Sequence, residues 1–335
     1  MPCGGEQSGQ VQRMFLLGAR MQSQVRLLGM LSLLLSAVGC EWEGVGGRYK
    51  KDFFEGRDFA AGGRLSLESR NGSVEIVGWE KERVEITALK SASREELLEA
   101  IQIDIRQQGN HLDVRTRGLI GREGSWGVNY VVRVPSRTAL ERIETSNGSV
   151  RVEMIEGAAW LRTSNGPIRV YGLKGPLQAW TSNGRVELQS VAGEVRLQSS
   201  NGSIEVEDLQ GSIEASTSNA SVRVRIRKPA AGQLLRLSTT NGGIDLVMES
   251  FADNPIRAYT SNGSIRLTLP AQVRATLHAS TTNGSIASDL EGQWDSRRGS
   301  RLAGPIGGGG APIDLATSNG GIKIVKLHPD VGSPR

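Results

Sequence analysis

Apolar and polar residues alternate in short runs along most of this chain, the period of a half-buried β-strand, and one recurring step, Asn-Gly, punctuates the runs. The step occurs at Asn71, Asn147, Asn165, Asn183, Asn201, Asn241, Asn262, Asn283 and Asn319, with Asn219-Ala220 as a degenerate copy. From Asn147 the spacings are 18, 18, 18, 18, 22, 21, 21 and 36 residues. A nearly fixed period of about 20 residues marks a stacked repeat rather than a single globular sheet.

Aligning the repeats on the Asn exposes columns. Four residues before it stand Ile143, Leu161, Ala179, Leu197, Ala215, Leu237, Ala258, Ala279 and Leu315; two before stand Thr145, Thr163, Thr181, Ser199, Thr217, Thr239, Thr260, Thr281 and Thr317. Three after come Val150, Ile168, Val186, Ile204, Val222, Ile244, Ile265, Ile286 and Ile322, and five after come Val152, Val170, Leu188, Val206, Val224, Leu246, Leu267, Ser288 and Ile324. Alternate residues of a strand share a face, so these columns line the inside of a coil made of two short strands bent at the Asn-Gly corner. The fold class expected is all-β: a parallel β-solenoid, a single-stranded β-helix of right-handed sense, with coils of 18–22 residues over 139–327. At roughly 4.8 Å per coil, its length is on the order of 40 Å. An isolated Asn-Gly predicts a hairpin, so a ladder of antiparallel hairpins is the alternative; many near-identical corners at coil spacing favour parallel stacking.

The corner chemistry follows. Gly supplies φ > 0 for a tight bend, and Asn tolerates the left-handed region. Asn on the inward parity is expected to hydrogen-bond to the Asn above and below, satisfying buried amides, and the Thr hydroxyls to do the same.

Before the continuous repeats the pattern appears once, at Leu65–Ile76, and is then interrupted. Strand-like alternation fills the interruption at Val84–Thr87, Ile101–Ile105, His111–Arg115 and Val131–Val134. Ser93, followed three residues later by Glu96, carries the capping-box signal of one short helix. An open solenoid end needs a cover, so residues 63–138 are read as an N-terminal β-rich cap. Residues 40–62, with Gly44, Gly46, Gly47, Lys50 and Lys51, read as a polar tether whose Phe53, Phe54 and Phe59 dock on the first coil.

Outward positions carry the candidate chemistry. Four residues beyond the Asn, charges alternate in sign, and the stacked pairs Arg169 with Glu187 and Arg223 with Asp245 support the parallel register. Trp160, Trp180 and Tyr259 fall on outward parity and are candidates to stack on sugars. Residues 293–311 break the period with a run of glycines; they are read as a projecting loop in which Trp294, Arg297, Arg298 and Arg301 are candidate ligand contacts, with 328–335 as a tail. Glu187 and Glu205 are stacked neighbours, a carboxylate pair that a glycosidase-like reading could use, against the reading as two solvated charges on a strand face.

Composition narrows the classes. Aromatics are only 4% while Gly reaches 43 residues, which suits short strands and many tight turns. Arg20 and Arg26 precede the apolar run Leu27–Leu35, as in a secretory signal, with Met21 as an alternative start. The run ends in Ala37-Val38-Gly39-Cys40, which is similar to the bacterial lipobox and marks 1–39 as a cleaved signal and Cys40 as the lipidated residue. Only Cys3 and Cys40 exist, so the mature chain has no thiol for a disulfide, metal or nucleophile. Removing 1–39 leaves 37 basic against 34 acidic residues, a weak case for nucleic acid. His111, His278 and His328 show no metal-ligand spacing and no Ser/His/Asp set; neither a catalytic residue, a cofactor nor a metal is assigned.

Thr-Ser-Asn-Gly-x-Ile/Val-x-Val, with Gly78-Trp79 after the first copy and the strand ending Arg133-Val134-Pro135, resembles the bacterial putative adhesin family of β-strand-repeat proteins over about residues 63–327. The resemblance implies an extracytoplasmic β-solenoid and carries no catalytic residues. The function expected is that of a non-enzymatic protein, lipid-anchored in the outer membrane or facing the periplasm or cell surface, acting as adhesin or envelope scaffold on an envelope protein or glycan. A carbohydrate-active enzyme and an envelope-stress signalling accessory are the alternatives, and the sequence sets no oligomeric state.

Overall fold

The computed structural model describes residues 47–118, 124–294 and 296–328, all within one compact unit. The predicted signal, Cys40 and most of the tail lie outside the described residues. Two sheets of parallel strands face each other, one on each side of the Asn corner. The front sheet is built from the strands that lead into the corner: β2 (Arg64–Glu68), β8 (Ala139–Glu144), β10 (Ala159–Arg162), β12 (Leu177–Trp180), the second halves of β13 (Val186–Gln198) and β14 (Ile204–Ser216), β16 (Leu235–Ser238) and β18 (Ile256–Thr260). The back sheet takes the strands that leave it: β3 (Val74–Trp79), β9 (Val150–Ile155), β11 (Ile168–Leu173), the first halves of β13 and β14, β15 (Val222–Pro229), β17 (Ile244–Met248) and β19 (Ile265–Leu269). The parallel solenoid read from the columns is the fold, and its register is that of the sequence alignment: Ile168 pairs with both Val150 and Val186.

The inward columns are the core. Leu161, Ala179, Ile168 and Val186 have no exposed surface, and each fully buried Val, Leu or Ile side chain contributes about 1.5–3 kcal/mol. A second corner, which the Asn alignment did not show, bends the four coils that follow Asn147, Asn165, Asn183 and Asn201. At that corner Met154, Gly172, Ser190 and Asp208 stack in register with φ of 54, 68, 55 and 56°. The bend there buries a further column, Ile155, Leu173, Val191 and Leu209.

The Asn corner works differently from the expectation. Gly148, Gly166, Gly184, Gly202, Gly242, Gly263, Gly284 and Gly320 do not have positive φ; among the corner glycines only Gly72 does, at 117°. They are glycine because the coils approach too closely for a side chain: a Cβ on any of these eight would lie 1.7–2.1 Å from the backbone oxygen of the corner residue in the adjoining coil. The Asn side chains do form a continuous ladder, nine Nδ2–H to Oδ1 bonds of 2.6–2.9 Å. The ladder runs along the outside of the corner, however, with every corner Asn from Asn147 onward exposed. The buried ladder belongs to the Thr column, whose hydroxyls donate not to one another but to the corner carbonyl of the adjoining coil, as Thr163 to Gly148 at 2.8 Å and Thr181 to Gly166 at 3.0 Å. Those bonds satisfy backbone oxygens that would otherwise be buried without a donor.

Both ends fold back on themselves. At the N-terminal end the Asn71 coil sits directly on the Asn147 coil, and the segment between them lies outside both. There β6 (His111–Arg117) pairs parallel with β2, and β5 (Gln102–Gln108) antiparallel with β6; β7 (Trp126–Pro135) pairs parallel with β3 and β4 (Arg83–Ala92) antiparallel with β7. The tether reading is corrected at Tyr49–Asp58, which forms β1, antiparallel to β4. Phe59 is buried, Phe53 is partly buried against the core, and Phe54 stays 65% exposed. Helix α1 (Glu95–Glu99) is present, but without the capping box: Arg94 is the N-cap, and Ser93 Oγ instead accepts the Ser125 N–H at 3.1 Å.

At the C-terminal end the sequence order is broken. The last coil, β24 (Ala311–Asn319) and β25 (Ile322–Lys326), lies between the Asn262 coil and the coil of β20 (Ala275–Asn283) and β21 (Ile286–Ser288). The projecting loop expected at 293–311 is instead a hairpin: β22 (Ser296–Arg298) pairs with β23 (Arg301–Ile306), which extends the front sheet antiparallel to β20.

Candidate ligand-binding face

Strand alternation sends every second front-sheet residue outward, and parallel in-register pairing lines these residues up in rows across the strands. Near the N-terminal end Trp160 and Trp180, on neighbouring strands, bring their ring centroids to 5.1 Å at a tilt of 46°. The guanidinium of Arg142 lies 6.0 Å from the Trp160 ring centre. Glu144 holds it there through two bonds of 2.9 and 2.6 Å, and the same carboxylate raises the Arg142 pKa above its ordinary value. Both rings are half-buried, so together they form a tilted pair of aromatic faces held against the sheet.

Four strand spacings further along the sheet, about 19 Å away, lies a cleft of about 690 Å³ lined by Tyr259, His278, Ser280, Ser300, Arg301, Asp314 and Ala316 among others. Two rows build it. Arg257, Asp314, His278 and Ala303 stand opposite one another across β18, β24, β20 and β23, and the next row in the same strand order is Tyr259, Ala316, Ser280 and Arg301. Their inward neighbours, Ala258, Leu315, Ala279 and Leu302, are buried, which fixes the outward set. Asp314 is held on both sides, by Arg257 Nε at 3.7 Å and His278 Nδ1 at 3.3 Å. Tyr259 is 40% exposed.

Of the residues singled out from sequence, the structure therefore brings Trp160 to Trp180 and Tyr259 to Arg301, and keeps the two pairs apart. Trp294 is half-buried and packs against the core at the end of the molecule, where it lines a smaller cavity of about 370 Å³ with Ile286, Leu290 and Leu302. Arg297 and Arg298 lie on β22. Arg257, His278 and Asp314 were missed. All three stand five residues before an Asn, but 278 and 314 become neighbours only because the last coil inserts beside β20.

The back sheet offers less. Glu187 and Glu205 are register partners, yet each is taken by arginine: Glu187 by Arg169 at 3.6 Å, and Glu205 by Arg185 and Arg223 at 3.5 and 3.3 Å. Arg223 thus turns to Glu205 and not to Asp245, whose Oδ1 is buried without a hydrogen-bond partner. Among the described residues no group of three or more His, Cys, Asp or Glu side chains is placed to hold a metal ion, and no helix is long and apolar enough to cross a membrane.

Residues 62–325 match the family model described as Toastrack DUF4097, in agreement with the resemblance carried by the Thr-Ser-Asn-Gly repeat. No curated protein matches the sequence. Among solved structures, similarity is found to a putative cell adhesion protein from Clostridium sporogenes (12% identity over 83% of this chain and 100% of that one, TM-score 0.22). It is found also to putative adhesins from Bacteroides fragilis (11%, 83% and 97%, TM-score 0.40) and Parabacteroides merdae (14%, 63% and 97%, TM-score 0.26). At those scores none of the three transfers a role to this chain.

Proposed function

We propose a function on one premise: the chain belongs to the Toastrack DUF4097 family. It acts as a non-enzymatic, adhesin-like scaffold, held outside the cytoplasm by a lipid on Cys40, that offers the outer face of its front sheet to a glycan or an envelope partner. The observation that carries this reading is the division of labour within each coil. The inward columns and the Thr and Asn ladders are consumed in holding coil to coil, while the front face sets the tilted Trp160–Trp180 pair and the Tyr259 cleft on one rigid surface. Aromatic rings fixed on a rigid sheet bind with little loss of side-chain freedom. The Glu187 and Glu205 carboxylates, neutralised by three arginines, give the enzymatic alternative no support.

A glycan array probed with the full chain carrying Cys40→Ser tests the reading. Binding that falls with Trp160→Ala or Tyr259→Ala supports it; no glycan bound, and no envelope protein retained on the same immobilised chain, overturns it. Fractionating cells that make the wild type and Cys40→Ser tests the anchor, since only the substituted chain is expected to leave the membrane fraction.

A further inference from the structure

Resting on the glycan-binding reading above, we infer that the cleft between Tyr259 and Arg301 takes an acidic saccharide, with a ring on Tyr259 and its carboxylate on Arg301. The register gives the dimensions. Tyr259 and Arg301 end one row across four strands, separated by Ala316 and Ser280, a distance of about 14 Å between backbones. The two residues between them are small, so the floor is low and the ends are walls. One wall is an exposed phenol ring, the apolar face on which a sugar ring stacks. The other is a guanidinium, whose planar fork matches a carboxylate.

Charge picks the acidic member of the class. Arg257 and His278 are both engaged with Asp314, whereas Arg301 meets no carboxylate among the described residues and lies exposed on the cleft wall. A neutral sugar leaves that cation without a counter-charge; an inorganic anion satisfies it but makes no use of the ring. His278, Ser280 and Ser300 supply polar atoms along the lining for sugar hydroxyls, and a volume of about 690 Å³ falls within the range of small-ligand sites. The cleft exists because the last coil inserts: it is Ala316 of that coil that lies between Tyr259 and Ser280.

The test is a calorimetric titration of the full chain carrying Cys40→Ser, at low ionic strength, with an oligogalacturonide and with the same oligosaccharide after reduction of its carboxyl groups. The acidic form is expected to bind about ten-fold or more tightly than the reduced one, the size of one charge-assisted contact. Arg301→Gln is expected to erase that difference, Tyr259→Ala to weaken both ligands, and Arg169→Gln, on the back sheet and outside both candidate surfaces, to change neither. All three side chains reach the surface, so unchanged melting temperatures will confirm that the variants are folded. Equal binding of the two forms, no binding of the uronide, or an Arg301→Gln variant that keeps the preference overturns the inference. If only neutral glycans bind, and Trp160→Ala removes them, the acidic site fails while the adhesin-like reading stands; silence toward every glycan and every envelope protein sinks both.

Discussion

The side-chain amide of Asn319 donates to Oδ1 of Asn262 at 2.8 Å, although Asn283 lies between them in sequence; Asn283 in turn donates to Asn319 at 2.8 Å. The last coil of the chain is therefore an interior coil, paired on both sides in both sheets.

Truncation after Gly310 should consequently do more than shorten the solenoid. It removes the parallel partners that β20 and β21 have among the described residues and exposes Ile265 and Leu267 at an open edge, so residues 275–306 are expected to lose their protection together. Limited proteolysis would show this as rapid cleavage throughout that stretch with residues 64–250 still resistant. A truncated chain that keeps 275–306 protected would show that those strands can close directly on β18 and β19.

The outer Asn ladder predicts a modest stability effect. Asn183 donates to Asn165 at 2.6 Å and accepts from Asn201 at 2.7 Å. Both bonds are exposed, where each contributes about 0.5–1.5 kcal/mol net. Asn183→Ala should therefore lower stability by about 1–2 kcal/mol, read from the urea midpoint at unchanged m-value.

How much of this was legible in the sequence depends on how strictly a residue obeys strand periodicity. Leu161, Ile168 and Val170 sit within strands, where alternation alone fixes the face, and all are buried as the columns required. Asn165 sits in the bend, where parity no longer holds, so its ladder was foreseen but assigned to the wrong side. Gly166 was recognised as obligatory for the wrong one of glycine's two uses, since a letter in the sequence does not separate a special φ from a close approach. The insertion of the last coil had no sequence signal at all, because the coils of Asn283 and Asn319 carry the same motif and either would pair with that of Asn262. The Arg257–Asp314–His278 row, and with it the cleft, was hidden for the same reason.

The close approach at the corner makes Gly202→Ala a sharper perturbation than loss of an Asn. Its new methyl would start 1.7 Å from Gly184 O, so the coils must separate locally. Ala220 occupies the same column, which shows that one methyl is absorbed without loss of the fold. The cost expected is thus that of overpacking, about 1–3 kcal/mol, and Gly184→Ala with Gly202→Ala should be worse than additive, because neighbouring coils share the strain. Chemical denaturation of the two single variants and the double variant measures this.

Thr181→Val tests the buried ladder. The Thr181 hydroxyl donates to Gly166 O at 3.0 Å and accepts the Gly184 N–H at 3.1 Å, so Val of nearly the same shape leaves two backbone groups without that partner. The expected loss is about 1–3 kcal/mol, larger than for Asn183→Ala because water does not replace the missing hydroxyl. Similar losses for the two variants would mean that solvent reaches the corner.

Stability above neutral pH should carry the signature of Tyr130. Its phenol is buried within the N-terminal cap, and burial raises its pKa well above the ordinary value; the bond to Thr116 Oγ1, at 2.7 Å, opposes this more weakly. The native state thus keeps the proton that the unfolded chain releases near pH 10. For a group whose folded pKa is raised, its contribution is complete below the unfolded pKa and is lost as pH climbs toward the folded one, with a limiting slope of about 1.4 kcal/mol per pH unit. Comparing wild type with Tyr130→Phe isolates this group. The variant should be less stable at pH 7 by about 1 kcal/mol, for the bond lost to Thr116, and the gap should narrow and then reverse above pH 10. A gap that stays constant from pH 7 to pH 11 would mean that Tyr130 ionises as readily in the folded protein as in the unfolded chain.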